Sequence, residues 1–219
     1  MRGPEPLGWD GYCERWSETH GGYDPRLAPA PVRGWLRLCH RLGAGLVRLG
    51  VRSPGAITSI GLLFSAVVPV AAAVPAGPLV AAILVLLSAL ADTLDGVVAV
   101  IAARATRLGQ VYDAVADRLA EAAWLIAFTL LGAPAWLAGA SGAVMWLHEY
   151  VRARAAVAGM GDIGTVTIAE RPIRILITIF GLLAALFDPR AATVTLAVAL
   201  AVSVVGFAQL WMAVRKALR

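Results

Sequence analysis

The chain has 219 residues, of which 59% are hydrophobic and only 15% are charged. A soluble domain of this length carries about 45–50% apolar and about 25% charged residues, so the composition indicates a membrane protein. The net charge is +5, but no zinc-ligand spacing or RNA-binding signature is present, which argues against nucleic-acid binding. Two cysteines, Cys13 and Cys39, do not suggest a disulfide framework.

Residues 1–30 form an N-terminal arm that is rich in Gly, Pro and polar residues, and we expect it to be cytoplasmic and disordered. In residues 31–50, basic side chains are segregated from an apolar helical face, which predicts an amphipathic helix in the membrane interface. A linker without specific contacts is the alternative. The predicted apolar face consists of Val32, Trp35, Leu36, Leu38, Leu42, Leu46 and Leu49.

The remaining residues, 51–219, predict an all-α membrane domain with six transmembrane helices. Proline and glycine punctuation places these helices at about 56–74, 79–103, 110–131, 135–156, 168–187 and 191–214. Six spans put both termini on one side, and every basic residue except Arg190 falls on that side. By the positive-inside rule this side is the cytoplasm, and we expect the chain in the cell membrane.

Four aspartates flank the loop between the second and third predicted spans. Asp92 and Asp95 are three residues apart, and Asp113 and Asp117 are four apart, so each pair lies on one helix face. Antiparallel neighbouring helices would bring all four to one cytoplasmic site. Carboxylates in a membrane are costly and repel each other, so they predict hard divalent cations, two Mg²⁺ or Mn²⁺.

Two other interpretations of these aspartates stay open. They would form structural ion pairs with Arg104, Arg107 and Arg118, or they would relay protons or cations in a transporter. The absence of a detectable internal repeat and the single acidic cluster speak against the transporter.

The sequence around the aspartates resembles the CDP-alcohol phosphotransferase family, whose motif is D-x2-D-G-x2-A-R-x8-G-x3-D-x3-D. Every spacing is kept, and only one of the eight defined residues differs, Val100 in place of Arg. Residues 53–58 resemble the family's entry into its first membrane helix. The segments Arg152-Ala-Arg154 and Glu170-Arg171-Pro172-Ile173-Arg174 resemble its phosphatidylinositol-phosphate synthase branch.

The resemblance implies a homodimeric enzyme that moves a phosphatidyl group from CDP-diacylglycerol to an alcohol and releases CMP. It implies that Asp92, Asp95, Asp113 and Asp117 bind metal and that Asp117 is also the general base. The residues implied to bind the CDP-lipid are Thr58, Asp92, Gly96, Arg104, Thr106 and Gly109.

Some of these roles have competing explanations. Gly96 would let a nucleotide approach the helix closely, or it would serve close helix packing. Gly109 would equally suit a helix start. The loss of the motif Arg at Val100 leaves a second function, a catalytically impaired membrane scaffold. Arg104 would substitute for that Arg if the second span extended far enough.

The predicted fifth span points to the acceptor. Only 13 uncharged residues separate Arg174 from Asp188, too few to cross a bilayer, so the charged residues before them are expected to face a wet cavity. Guanidinium groups suit phosphate recognition, which predicts a phosphorylated acceptor such as inositol phosphate or glycerol 3-phosphate. Anchoring at lipid headgroups is the alternative. The predicted acceptor residues are Arg152, Arg154, Arg171 and Arg174.

Overall fold

The computed structural model describes residues 7–19, 22–160 and 167–219. This part of the chain is all-α, without a strand, and we number its eight α-helices in chain order. They are α1 (Trp9–Thr19), α2 (Ala30–Arg48), α3 (Pro54–Ala72), α4 (Gly77–Ile101), α5 (Arg107–Leu130), α6 (Ala135–Val157), α7 (Arg171–Ala185) and α8 (Ala191–Ala217), with a 3-10 turn at Pro25–Leu27.

The six helices predicted after residue 51 are present as α3 to α8. Within the described residues, three of them, α3, α4 and α8, are long and apolar enough to cross a membrane. Helix α7 has 15 residues, which corresponds to about 22 Å against a bilayer core of about 30 Å. It starts at Arg171 rather than near residue 168, because Glu170 before it is extended, with φ −63° and ψ 152°.

Local sequence sets the boundaries of α3 and α4. Pro54 opens α3, where its missing N–H costs nothing. Gly77 opens α4 in a turn so tight that a Cβ there would lie 2.0 Å from the Ala71 carbonyl oxygen. Helix α4 ends at Ile101, and Ala103 follows in the left-handed region at φ 51°. Arg104 therefore does not lie one helical turn beyond Val100, and the condition for it to replace the motif Arg, a helix that extends to residue 104, is not met.

The described residues group into two compact units. The first contains the residues up to Leu63 together with Ser88–Asp117, and the second contains Phe64–Leu87 and the residues from Arg118 onward. Each unit has its own apolar core. Buried residues of the first core come from α1, α2, α3 and α4. In the second unit, α8 packs on both α6 and α7, and Trp124 Nε1 donates to Ser65 Oγ at 3.0 Å.

The N-terminal arm differs from the expected disorder, since its described part contains α1. Tyr12 and Cys13 on this helix are fully buried, and they join Cys39 in the core of the first unit. Both cysteines are free thiols. Burial raises the pKa of the Cys39 thiol to about 11, so it is neutral at physiological pH. Residues 1–6, 20 and 21 lie outside the described residues.

Helix α2 is amphipathic, but it buries only part of its predicted apolar face. Leu36 is buried, whereas Leu38, Leu42 and Leu49 are exposed. The Trp35 indole Nε1 donates to Thr93 Oγ1 at 3.1 Å, which ties α2 to α4. The helix therefore packs on the protein along one side and exposes apolar side chains on another.

Candidate metal centre and neighbouring sites

Three of the four predicted metal-binding aspartates come together in the first unit. Asp92 on α4 and Asp113 and Asp117 on α5 each offer a carboxylate oxygen, and these atoms lie within 4.8 Å of one another. The i, i+4 spacing on α5 accounts for the second pair. Clustered oxygen donors of this kind, half buried, have the chemistry that Mg²⁺ or Mn²⁺ prefers.

Asp95 lies outside this group. Its carboxylate is buried, and its Oδ2 accepts a hydrogen bond of 2.5 Å from Thr58 Oγ1 on α3. Thr58, predicted to bind the CDP-lipid, is itself buried, and its hydroxyl donates to Asp95. The structure therefore divides the predicted set into a group of three carboxylates and a fourth that is fixed by α3.

Gly96 is not required for helix packing in this structure. A Cβ built at Gly96 would meet only the ring of Trp16, at 3.7 Å from Cζ3 and 3.9 Å from Cη2, which is ordinary van der Waals contact. The neighbouring Val97 and Val98, in contrast, are fully buried. The packing explanation for Gly96 loses its force, because an alanine would fit.

The loop residues predicted to contact the CDP-lipid have local roles at the start of α5. Thr106 Oγ1 accepts from the Gly109 backbone N–H at 3.0 Å and so caps the helix. A Cβ at Gly109 would lie 3.0 Å from that same oxygen, so glycine suits the cap. Arg104 is exposed in the preceding loop.

Val100, which replaces the family's Arg, is buried in the same apolar cluster as Tyr12 and Cys39. A guanidinium at this position would enter an apolar core rather than a polar site, so the substitution fits the packing of this chain.

Arg174 belongs to a buried ionic network in the second unit. Its side chain is 2% exposed and donates to the Ala169 carbonyl at 2.7 Å, to Glu121 Oε1 at 2.9 Å and to Glu149 Oε1 at 3.0 Å. Arg118 Nη2 also lies 3.4 Å from Glu121 Oε1, so this carboxylate has two cationic partners. Arg174, predicted to bind the acceptor, is instead occupied by protein groups.

The other three predicted acceptor arginines are less deeply buried. Arg152 Nη2 donates to Glu170 Oε1 at 2.5 Å, and that oxygen also accepts from the Thr167 backbone N–H at 2.9 Å. Arg154 is exposed near the end of α6, and Arg171 is half buried at the start of α7. Residues 161–166, between α6 and α7, lie outside the described residues.

Several contacts around the aspartates were not foreseen. Besides Trp35, which holds Thr93, the Ser59 and Tyr112 hydroxyls lie 2.8 Å apart and link α3 to the residue before Asp113. These partners are separated by more than fifty positions in sequence. Spacing within one helix carries no signal for such contacts.

The chain is similar to known proteins in both sequence and fold. The profile of the CDP-alcohol phosphatidyltransferase family matches residues 51–211. The chain is 34% identical over 154 residues to phosphatidylinositol phosphate synthase of Mycobacterium bovis, covering 66% of this chain and 69% of the relative. It is 31% identical over 143 residues to archaetidylinositol phosphate synthase of Pyrococcus horikoshii, covering 63% and 72%.

Solved structures with the same fold come from Mycobacterium tuberculosis phosphatidylinositol phosphate synthase. One, with CDP-DAG bound, superposes with a TM-score of 0.66 at 24% identity and covers 81% of this chain and 94% of that one. Another, in complex with manganese and citrate, gives 0.68 at 24% identity, with coverages of 81% and 89%. The family profile and the two relatives together show that this chain belongs to the CDP-alcohol phosphatidyltransferase family, enzymes of phospholipid biosynthesis.

Proposed function

We propose that this enzyme transfers a phosphatidyl group from CDP-diacylglycerol to a phosphorylated polyol, such as inositol phosphate or glycerol 3-phosphate. The observation that carries the proposal is the group formed by Asp92, Asp113 and Asp117. Two relatives, a phosphatidylinositol phosphate synthase and an archaetidylinositol phosphate synthase, support the acceptor class. The crystal structure of a fold neighbour with CDP-DAG bound supports the donor.

The proposed reaction uses the aspartates for proton transfer and for charge. Asp117 accepts the proton of the acceptor hydroxyl, whose oxygen then forms the new bond to the lipid-bearing phosphorus, while the bond to CMP breaks. Asp92, Asp95 and Asp113 are the other proposed metal ligands. One or two divalent cations bound there would neutralise the diphosphate and the leaving CMP. The remaining catalysis is positioning of the two substrates.

We place the enzyme in the cell membrane with six spans and a cytoplasmic active site. Helices α5, α6 and α7 carry charged groups that are paired inside the protein, as Arg174 is with Glu121 and Glu149. Internal pairing lowers the cost of taking these helices into a bilayer. The apolar side chains left exposed on α2 support its place in the interface. A homodimer remains part of this proposal.

We restrict the proposed acceptor site to Arg154 and Arg171, with Arg152 in a supporting position. Arg174 is left out because its guanidinium already donates to Ala169, Glu121 and Glu149. A phosphate monoester carries nearly two negative charges, so guanidinium groups would bind it in preference to a neutral polyol. Arg152 is already neutralised by Glu170 at 2.5 Å. Lipid headgroups remain the competing partner for these arginines.

A screen of acceptors tests this function directly. With CDP-diacylglycerol and Mg²⁺, we expect CMP release to require a phosphorylated acceptor, and Arg171→Ala to raise the acceptor KM by about ten- to a hundredfold, the value of a charge-assisted contact. The measurement is transfer rate against acceptor concentration, with lipid products identified by mass. Arg190→Ala, an exposed arginine at the start of α8, is the control. Equal use of free inositol or glycerol would contradict the acceptor class, and no CMP release with any acceptor would favour the scaffold.

Gly96→Ala separates the ligand explanation for this glycine from the packing explanation. Because the added methyl meets only Trp16 at ordinary contact distance, we expect the thermal midpoint in detergent to stay within a few degrees of wild type. We expect kcat/KM for CDP-diacylglycerol to fall about tenfold or more, since a misplaced substrate group can cost on the order of a hundredfold in rate. Normal donor kinetics in a stable Gly96→Ala protein would remove Gly96 from the donor site.

A further inference from the structure

Helix α1 lies outside the residues that match the family profile, yet it reaches the proposed donor site. The profile begins at residue 51, whereas Trp16 is the side chain that stands beside Gly96. No other side chain lies within 4 Å of the position where a Cβ of Gly96 would be, among the described residues. Trp16 therefore borders the face of Gly96 where a nucleotide is proposed to approach.

The position of Trp16 is fixed by a row of aromatic rings. Trp9, Tyr12 and Trp16 recur at three- and four-residue spacing on one face of α1, with ring centroids 5.7 Å and 5.6 Å apart. Tyr12 is fully buried and packs on His40 of α2 at 5.1 Å. His40 Nε2 lies 2.9 Å from the Leu7 carbonyl oxygen, which is a second contact between α2 and the residues at the start of α1.

Trp16 itself is half buried. A partly exposed tryptophan is suited to stacking, because every nucleic-acid base offers a flat π-face. The packing does not require residue 96 to be glycine, since a Cβ there would meet Trp16 only at ordinary contact distance.

We propose that Trp16 is a specificity-determining residue of the donor site, against whose indole the cytosine ring of the CDP-lipid stacks beside Gly96. This inference rests on the proposed function, because it needs a cytidine nucleotide at Gly96. It also accounts for Val100, which stands where the family has an Arg. Base stacking on Trp16 would supply donor affinity in place of that Arg. The N-terminal helix is then part of the substrate site rather than an appendage.

The test compares Trp16→Ala and Trp16→Phe with the wild-type full chain in detergent. Two quantities are measured, the KM for CDP-diacylglycerol at saturating acceptor and the dissociation constant of CDP by titration calorimetry with Mg²⁺. We expect Trp16→Ala to weaken both by about five- to a hundredfold, the usual value of base stacking on an aromatic ring, and to leave the acceptor KM unchanged. Trp16→Phe should recover most of the loss. Trp136→Ala, at a tryptophan 71% exposed in the second unit, is the matched control.

The outcomes separate this inference from the proposed function. Unchanged CDP binding in Trp16→Ala would overturn the inference, and so would tighter binding, which would make the ring an obstacle. A Phe variant as impaired as the Ala variant, with a lowered thermal midpoint in both, would assign Trp16 to folding alone. Absence of CMP release by the wild type would count against the proposed function, while the calorimetric arm would still decide the role of Trp16.

Discussion

Asp113→Asn is expected to lower phosphatidyl transfer by at least about a hundredfold while the protein stays folded, because a bound cation supplies several kcal/mol of transition-state stabilisation. Asp113 shares a group of carboxylate oxygens, spanning 4.8 Å, with Asp92 and Asp117. Asparagine keeps the size of the side chain and removes its charge. We expect the same loss for Asp92→Asn and Asp117→Asn.

The measurement combines CMP release with Mn²⁺ binding by electron paramagnetic resonance in detergent. Metal affinity should fall together with turnover in Asp113→Asn, and the thermal midpoint should not. Asp188→Asn, at an exposed aspartate near the end of α7, is the control and should change neither quantity. Turnover near the wild-type value in Asp92→Asn or Asp113→Asn would contradict the proposed metal mechanism.

The variant Asp95→Asn tests whether three or four aspartates bind the metal. Its Oδ2 is held by Thr58 Oγ1 at 2.5 Å, and an asparagine there would still accept that hydrogen bond. Loss of Mn²⁺ binding in Asp95→Asn would support four ligands. Retained Mn²⁺ binding with reduced turnover would make Asp95 a positioning residue.

The grouping of Asp92, Asp113 and Asp117 was predictable from sequence because its determinants are local. Asp113 and Asp117 are one helical turn apart, and a short loop returns the chain beside Asp92, so spacing alone brings the carboxylates together. The separation of Asp95 was not predictable in the same way. Its partner, Thr58, lies 37 positions earlier, and only the packing of α3 against α4 selects it.

Helix α1 shows how composition misleads at a chain terminus. Its average character is polar, and the arm was therefore expected to be disordered. The informative signal was instead the spacing of Trp9, Tyr12 and Trp16, which places three aromatic rings on one helix face. Trp9 and Tyr12 pack on His40 of α2, and the burial of Tyr12 and Cys13 offsets the entropy of ordering the segment.

Arg174 illustrates the limit of reading charge in an apolar helix. The sequence predicted that this guanidinium faces a wet cavity, but Arg174 is 2% exposed and is held by protein groups. The sequence did not reveal that protein carboxylates, rather than water or a substrate, would surround it. The structure places Glu121 and Glu149 against it, from α5 and α6, so three helices of the second unit share one ionic network.

Arg174→Ala is accordingly expected to destabilise the protein by about 3–5 kcal/mol, because it leaves Glu121, which is 2% exposed, as a buried charge without its closest cation. The measurement is the unfolding midpoint in mixed micelles of increasing denaturing detergent. Arg154→Ala removes the same charge at an exposed position of α6 and should leave the midpoint unchanged. The double variant Arg174→Met with Glu121→Gln should recover much of the loss, since it removes both charges and keeps their volume. A stable Arg174→Ala protein whose only defect is a raised acceptor KM would return Arg174 to the acceptor site, because a guanidinium needed to balance Glu121 cannot be removed without cost.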